Sequence, residues 1–142
     1  MSLCLILNLF LPMAAAKTLP LSGGGTDGAA AWTFDPQTKT MTYSGTGIVC
    51  CCEVKKWFKQ TEHVIIEEGI SEIAEYTFGG DDASDIPEYY KNLKDVSLPN
   101  TLKKIGNNAF ENCYYLTHIK LNEGLEYIGD DAFYGTRIEE VE

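Results

Sequence analysis

The segment KIGNNAF at residues 104–110 returns as YIGDDAF at residues 127–133, 23 residues further along the chain. The agreement extends into the flanking sequence, where apolar and small side chains keep the same spacing. The first unit has these residues at Leu93, Val96, Leu98, Leu102, Ile105, Gly106, Ala109 and Phe110. The second unit has them 23 residues later, at Leu116, Ile119, Leu121, Leu125, Ile128, Gly129, Ala132 and Phe133. A fixed period of about 20 to 50 residues is the signature of stacked structural repeats. The sequence therefore predicts a solenoid.

Partial copies flank these two units. An earlier copy lies 32 residues before the first unit and contains Val64, Ile66, Ile70, Ile73 and Phe78. A later copy begins 22 residues after Leu116 and Ile119, with Ile138 and Val141. The nine additional residues of the longer spacing (32 minus 23) fall within GGDDASDIPEYYKN at residues 79–92. An insertion confined to one loop leaves the stacking surfaces intact. Repeats are therefore predicted over residues 61–142, as about three units plus a stub.

Each unit begins with a short strand and ends with a tight turn. In LTHIKL, Ile119 and Leu121 fall on one face of the strand, and His118 and Lys120 fall on the other. The sequence GDDAF is expected to form a short helical or 3-10 turn that directs its Ala and Phe inward. Coils stacked about 4.8 Å apart would pair their strands and share one interior. This stacking predicts that Phe78, Phe110 and Phe133 line up along one spine.

The sequence AAWTFDPQTKTMTYSGTGIVC at residues 30–50 alternates apolar and polar residues around the turn DPQTK. This pattern is typical of a β-hairpin. Trp32, Phe34, Met41 and Tyr43 are then expected to face the first coil. Because the ends of a solenoid need a cover, residues 17–60 are predicted to form an N-terminal β cap.

Residues 1–16 differ from the rest of the chain. The apolar run LCLILNLFLPM is followed by AAAK, which offers Ala14 and Ala16 in an A-x-A arrangement ahead of Lys17. This pattern indicates a signal peptide and hence export; a buried N-terminal strand or helix is the alternative. After residue 16, no apolar run is long enough to span a bilayer, so no transmembrane segment is expected once the signal is removed.

The chain of 142 residues carries a formal net charge of −10. Its 11 basic residues are scattered along the sequence. A field of this sign repels phosphate backbones, which argues against nucleic acid as a partner.

Residues 93–133, LKDVSLPNTLKKIGNNAFENCYYLTHIKLNEGLEYIGDDAF, resemble the BspA-like leucine-rich repeats of bacterial surface proteins, the Treponema-type class. The shared features are the L-x-x-[VI]-x-L strand, the turn after it, the I-G-x-x-A-F segment and the cysteine after the Phe. The predicted fold is therefore a β-rich leucine-rich-repeat solenoid with short helical or 3-10 turns, preceded by a small N-terminal β-hairpin cap. The triple cysteine and the acidic insertion depart from the family pattern.

The resemblance implies a secreted or cell-surface protein that binds host or neighbouring-cell proteins, as an adhesin does. It implies no catalytic residues and no cofactor. Two alternatives stay open: a structural fragment of a longer surface protein, and a secreted hydrolase that uses an acidic cluster.

The ligand-binding face is predicted at the outward strand positions, which form two columns across the stacked coils. The first column contains His63, Asp95, His118 and Glu140, and the second contains Ile65, Ser97, Lys120 and Glu142. A His-Asp-His-Glu column at strand spacing contains metal-ligating residue types. The pattern favours a polar protein-contact face over that metal site, and no metal ligand is assigned.

The insertion supplies candidate loop contacts. These are Asp81, Asp82, Asp85, Tyr89 and Tyr90, and the paired tyrosines would act as contact anchors. Clustered carboxylates can bind Ca²⁺, but the D-x-D-x-D-G spacing of a known calcium loop is absent.

The cysteines outside the signal segment are Cys50, Cys51, Cys52 and Cys113. This even count permits disulfides outside the cell without fixing their pairing. Cys113 follows Phe110 in the repeat and is predicted to be a small buried side chain. A Cys113–His118 nucleophile is disfavoured because no third group in the pattern orients the histidine.

Overall fold

A computed structural model describes the protein over residues 21–25, 28–50, 58–80 and 92–141. The predicted signal peptide and most of the acidic insertion lie outside these ranges. The strands in them are β1 (Leu21–Gly25), β2 (Gly28–Asp35), β3 (Thr40–Gly45), β4 (Gly47–Val49), β5 (His63–Ile66), β6 (Ile70–Ile73), β7 (Asp95–Ser97), β8 (Lys104–Ile105), β9 (His118–Ile119), β10 (Tyr127–Ile128) and β11 (Glu140–Val141). Within the same ranges, one 3-10 turn covers Phe58–Gln60.

The strands form two sheets on different sides of the coil. The seven-stranded sheet has the order β1-β2-β3-β5-β7-β9-β11, and the four-stranded sheet has the order β10-β8-β6-β4. Strands β1, β2 and β3 pair antiparallel, and every later pairing in either sheet is parallel. Each coil therefore gives one strand to each sheet, which confirms the predicted β-rich solenoid.

The hairpin predicted at the N-terminal side is formed by β2 and β3, joined at Pro36–Lys39. The Asp35 carboxylate accepts a 2.8 Å hydrogen bond from the Gln37 N–H, and this bond is the first cause of a lowered pKa at Asp35. The four side chains predicted to face inward are all buried in the core: Trp32, Phe34, Met41 and Tyr43.

The repeat register already begins in this hairpin. Thr40 pairs with His63, and Gly47 pairs with Ile70, so β3 and β4 precede β5 and β6 by the same 23 residues as later coils. The coil formed by β3 and β4 is hard to recognise in the sequence because Met41 and Tyr43 stand where the later coils have aliphatic residues. A register shift at Gly47 and Ile48 also breaks the pattern in β4.

A stack of aromatic rings runs through the interior. The Phe78 and Phe110 rings are stacked with centroids 5.0 Å apart, and the Phe110 and Phe133 rings are stacked at 5.3 Å. Tyr43 meets Phe78 edge to face at 5.8 Å. Each such pair contributes about 1 kcal/mol beyond the burial of its surface. The predicted alignment of the three phenylalanines is confirmed.

The predicted core position Ile128 is exposed to solvent. Ile128 is 44% exposed, whereas Ile73 and Ile105 in the same slot are fully buried. The difference arises because Ile128 lies in β10, which is an edge strand of the four-stranded sheet.

The third side of the coil consists of turns, which we call the turn wall (residues 74–80, 106–112 and 129–135). Successive turns are joined by backbone hydrogen bonds: the Phe78 N–H donates to Ala109 C=O and the Phe110 N–H donates to Ala132 C=O, both at 2.8 Å. Because these turns also pair with one another, the buried backbone on this side has partners as it does in the sheets.

The I-G-x-x-A-F segments form turns rather than helices. Glu111 N–H donates to Asn108 C=O, and Tyr134 N–H donates to Asp131 C=O, as in a 3-10 turn. However, Asn108 and Asp131 have φ angles of 54° and 53°, and the left-handed residue prevents continuation into a helix. Of the two forms that the sequence predicts, a short helical turn or a 3-10 turn, the structure has a turn of the 3-10 type.

A charged cluster joins the hairpin to the first two coils. Glu62 forms ion pairs with Lys39 and Lys94, and its side chain is only 18% exposed. The hydrogen bond from Lys39, followed by that from Lys94, lowers the pKa of Glu62 to about 2. One carboxylate therefore links three successive coils.

Close packing between coils predicts a specific sensitivity at Gly106. A Cβ added there would lie 2.5 Å from the Glu75 amide nitrogen and 2.7 Å from the Ala74 carbonyl carbon. The backbone of the preceding coil cannot shift cheaply, so we expect Gly106→Ala to lower the free energy of unfolding by about 2 kcal/mol. The free energy is to be measured by urea denaturation.

Gly124→Ala is the matched control. Its added Cβ would lie 3.4 Å from the ends of two flexible side chains, Asn122 and Lys103. We expect a change within about 0.5 kcal/mol. Equal unfolding midpoints for the two variants would contradict the proposed tightness of the coil stacking.

The lowered pKa of Glu62 predicts an acid-sensitive contribution to stability. Its ordinary pKa of 4.5 falls to about 2 in the folded state. The contribution is therefore fully present above pH 4.5 and is lost as the pH falls through about 2. We expect the stability difference between wild type and Glu62→Gln to be constant from pH 7 to 5 and to shrink progressively below pH 4.5. The measurement is urea unfolding of both proteins across this pH range. A stability difference that does not change with pH would contradict the lowered pKa of Glu62.

Candidate interaction face

The outward surface of the seven-stranded sheet brings the predicted binding residues together. Thr40, His63, Asp95, His118 and Glu140 occupy one register position in successive strands. The first predicted column is therefore a row across the sheet, and Ile65 and Ser97 of the second column are in register as well. We call this surface the sheet face, and its two rows are Thr40, His63, Asp95, His118 and Glu140, and Thr42, Ile65, Ser97 and Lys120.

The second row contains an exposed apolar side chain. Ile65 is 40% exposed and lies in register between Thr42 and Ser97. Lys120 is exposed two residues beyond His118, directly after β9. The small polar neighbours leave Ile65 accessible at the middle of the sheet face.

Hydrogen bonds fix the two histidines differently. His63 Nδ1 lies 2.6 Å from Asp95 Oδ2, and both side chains are half-exposed. His118 Nδ1 lies 2.7 Å from the hydroxyl of its neighbour Thr117. Among the residues that the structure describes, no group of three or more His, Cys, Asp or Glu side chains is placed to hold a metal ion. Within this polar row, Asp95 orients His63.

The sheet face extends further than the sequence predicted. Thr33 in β2 pairs with Thr42 in β3, and Asp35 pairs with Thr40. These residues alternate with the buried Trp32, so they lie on the outward side. The sequence carries a signal for this extension, because Thr40 precedes His63 by the 23-residue repeat length.

The remaining predicted contacts cannot be placed on this surface. Asp81, Asp82, Asp85, Tyr89 and Tyr90, together with Glu142, lie outside the described residues. For Glu140, only its backbone position in β11 beside His118 is described.

Cys113 is a free thiol buried in the core, as its place in the repeat predicted. It donates a 3.5 Å hydrogen bond to Phe78 C=O, and burial raises its pKa well above the usual range. The thiol therefore stays protonated at neutral pH, whereas His118 is exposed on the sheet face. The two residues do not form a nucleophilic pair.

Lowered carboxyl pKa values in the described residues have structural causes. The pKa of Glu68 is lowered first by the Asn100 N–H, at 2.9 Å, and its carboxylate also accepts a bond from the Thr101 N–H. These bonds fasten the bend between the two sheets of the next coil. Glu62 has its two lysine partners, so both lowered pKa values arise from bonds that join neighbouring coils.

Within the described ranges, no helix is long and apolar enough to cross a membrane.

Comparison with known families supports the repeat assignment. Residues 88–142 match the family described as the BspA type leucine rich repeat region. The match begins within the insertion, but the strand register of the structure continues back to β5 and β3. No curated protein matches the chain.

Two solved structures are similar. A leucine-rich repeat protein from Eubacterium ventriosum aligns over 89% of this chain with a TM-score of 0.55 and 16% identity, and this chain covers 36% of that protein. The leucine-rich repeat protein of T. pallidum aligns over 75% of this chain and 65% of its own, with a TM-score of 0.39 and 14% identity. The first of these likenesses supports the fold alone.

The strand register and the stacked phenylalanines show that the coils before residue 88 follow the same repeat as the matched segment. The family match over residues 88–142 and the shared fold thus support a BspA-like leucine-rich repeat protein.

Proposed function

We propose that the protein is an extracellular, adhesin-like recognition module that binds host or neighbouring-cell surface proteins through the sheet face. Leucine-rich repeat families of this kind are generally non-enzymatic protein-binding modules, which supports a binding role over a catalytic one. The observation that carries the proposal is the two-row array of exposed side chains on consecutive parallel strands.

The rigidity of the array favours binding. Each strand of the sheet face from β5 to β9 is paired on both sides. Buried residues on the inner side, such as Val64, Val96 and Ile119, anchor the same strands in the core. Side chains on such a scaffold lose little backbone freedom on association, which lowers the entropic cost of binding.

The chemistry of the array suits a protein partner. Ile65 offers apolar area between Thr42 and Ser97, and His63, Asp95, His118 and Lys120 add donors, acceptors and charge on the same face. An apolar centre within a polar rim is the usual composition of a protein interface.

The location of the protein outside the cell is supported by sequence and family. The apolar segment before Ala14 and Ala16 has the form of a signal peptide. BspA-type repeat proteins are typically surface or secreted bacterial proteins. That the protein lies outside the cell and that its partner is a host or neighbouring-cell protein are both parts of this proposal.

A capture experiment tests this function. The chain from residue 17 onward is immobilised and exposed to a panel of purified extracellular-matrix and cell-surface proteins. For a protein that binds, we expect the triple variant His63→Ala, Asp95→Ala, His118→Ala to lower affinity at least tenfold, because it removes most of one row. Affinity is to be measured by surface plasmon resonance.

The matched control is the double variant Lys103→Ala, Glu126→Ala. This exposed ion pair has an N–O distance of 3.1 Å and lies away from the sheet face, before β8 and β10. We expect its affinity to equal that of wild type. Equal binding by the triple variant and wild type would exclude the sheet face as the contact surface.

A further inference from the structure

The coil that contains β10 is left uncovered on one side by the residues that the structure describes. β10 is the outermost strand of the four-stranded sheet. Three apolar side chains on this side pack against the core but are only partly covered: Leu125, Ile128 and Phe133. Their equivalents in the preceding coil are fully buried: Leu102, Ile105 and Phe110. We call this surface, formed by the three side chains and the backbone of residues 126–135, the open end.

The aromatic stack of the interior stops at the open end. The Phe110 ring has a neighbouring ring on each face, with Phe78 at 5.0 Å and Phe133 at 5.3 Å. The Phe133 ring has Phe110 on one face, and within the described ranges no ring is stacked on the other. Covering this apolar surface would remove it from water, so association at the open end has a hydrophobic driving force.

Backbone donors face out of the open end along the turn wall. In the preceding coil, the N–H groups of Asn108, Phe110 and Asn112 donate to carbonyls of the next coil at 2.7–2.9 Å. The equivalent N–H groups one coil later belong to Asp131, Phe133 and Gly135. Among the described residues, none of these three groups donates a hydrogen bond. The open end therefore offers three donors at alternate residues.

The edge strand β10 adds another donor and an acceptor. The Tyr127 N–H donates to Lys103 C=O at 3.1 Å, so it is directed toward the preceding coil. The Gly129 N–H is directed the same way and donates to Ile105 C=O at 2.9 Å. Because alternate residues of a strand direct their backbone groups to opposite sides, the N–H and C=O of Ile128 point out of the open end. A further parallel strand fits here.

The polarity of these groups selects the kind of chain that fits. An occupant must present carbonyl oxygens to three donors of the turn wall, as each coil does to the one before it. The open end of a second copy would instead present its own donors, which leaves N–H groups unpaired in the contact. The opposite end of the solenoid does not supply a parallel coil either, because the antiparallel strands β1 and β2 lie outside β3.

The side chains of β10 show which charge the occupant needs. Lys103 of the preceding coil pairs with Glu126 at 3.1 Å, and Lys104 Nζ lies 5.8 Å from the centre of the Tyr127 ring. The Glu126 side chain is still 70% exposed, and Tyr127 is 48% exposed. A coil with lysines at the same two positions would approach both residues from the other side. Two copies of Glu126 placed opposite each other would repel.

We propose that the open end binds a lysine-bearing leucine-rich-repeat coil of another protein chain, which adds in parallel to β10 and to the last turn of the turn wall. The contact repeats the hydrogen bonds, ring stacking and ion pairing that already join the coils of this protein. The sheet face takes no part in it, so the inference is independent of the function proposed above.

The test is a titration of the isotope-labelled chain with a synthetic peptide of residues 98–112, LPNTLKKIGNNAFEN, with blocked termini. The peptide supplies the second strand and the turn of one coil, with its two lysines. At saturation we expect hydrogen exchange to slow at least about tenfold, because each amide gains an acceptor. The amides concerned are those of Ile128, Asp131, Phe133 and Gly135. NMR measures the exchange and the affinity.

A peptide with the same residues in reverse order is the matched control. Its composition and charge are identical, but its side chains and carbonyls meet the open end in the wrong order. We expect it to protect none of these amides. This control separates register-specific docking from general attraction between a basic peptide and an acidic chain.

Variants of the chain locate the contact. Ile128→Lys places a charge in the apolar surface, so we expect the affinity for the peptide to fall at least about tenfold. Tyr115→Lys introduces the same charge at a side chain that is 55% exposed and lies one coil away from the open end, and its affinity is expected to match wild type. Urea unfolding of both variants checks that the fold is kept.

A charge exchange tests the predicted register. Glu126→Lys is expected to weaken binding of the peptide about threefold, since like charges then face each other. The peptide with Lys103→Glu is expected to bind this variant about as well as the original peptide binds wild type. Because the Glu126 side chain is exposed, the substitution does not disturb the core.

Several outcomes would overturn the inference. These are the absence of protection by the peptide, equal protection by the reversed peptide, or equal affinity losses in Ile128→Lys and Tyr115→Lys. A dimer in sedimentation equilibrium that Ile128→Lys dissociates would assign the open end to a second copy instead. The triple variant at His63, Asp95 and His118 is expected to bind the peptide like wild type. A failure of the sheet-face proposal is therefore distinguishable from a failure of this one.

Discussion

The structure depends on the close parallel stacking of consecutive coils. Backbone hydrogen bonds join neighbouring coils on all three sides, in the two sheets and along the turn wall. Inside, the phenylalanine rings stack at 5.0 and 5.3 Å, close to the spacing of paired strands. The same spacing leaves no room for a side chain at Gly106 or Gly129, whose added Cβ would meet backbone atoms of the preceding coil.

This stacking converts a repeated sequence into repeated surfaces. A residue at a given position of the repeat falls on the same side of every coil. The outward residues of successive strands therefore form rows. On the seven-stranded sheet the rows are mixed in chemistry, with His63, Asp95, His118 and an exposed Ile65. On the turn wall they are acidic and aromatic, because Lys and Arg are confined to the other sides of the described coils. One scaffold thus carries two surfaces that differ in charge.

The sequence predicted the interior well because the interior obeys one geometric rule. Phe78, Phe110 and Phe133 recur where the coil returns to the same point, and the structure stacks their rings. The rule was less visible in β3 and β4, where Met41 and Tyr43 fill the same inward slots and a register shift interrupts the pattern. It also could not distinguish a helical turn from one broken by a left-handed residue such as Asn108, because both direct Ala109 and Phe110 inward.

The amino-acid sequence alone determined the period, the fold class, the inward residues and which outward residues share a row. Each of these follows from the spacing of apolar letters, since a coil of fixed length must bring equivalent residues into register. Only the tertiary structure decided that Asp95 bonds His63 rather than His118, that the hairpin adds Thr33, Thr40 and Thr42 to the sheet face, and that Tyr76 is held in a left-handed turn. These features depend on side-chain rotamers, strand pairing between distant segments and local φ angles, none of which the spacing of apolar residues specifies.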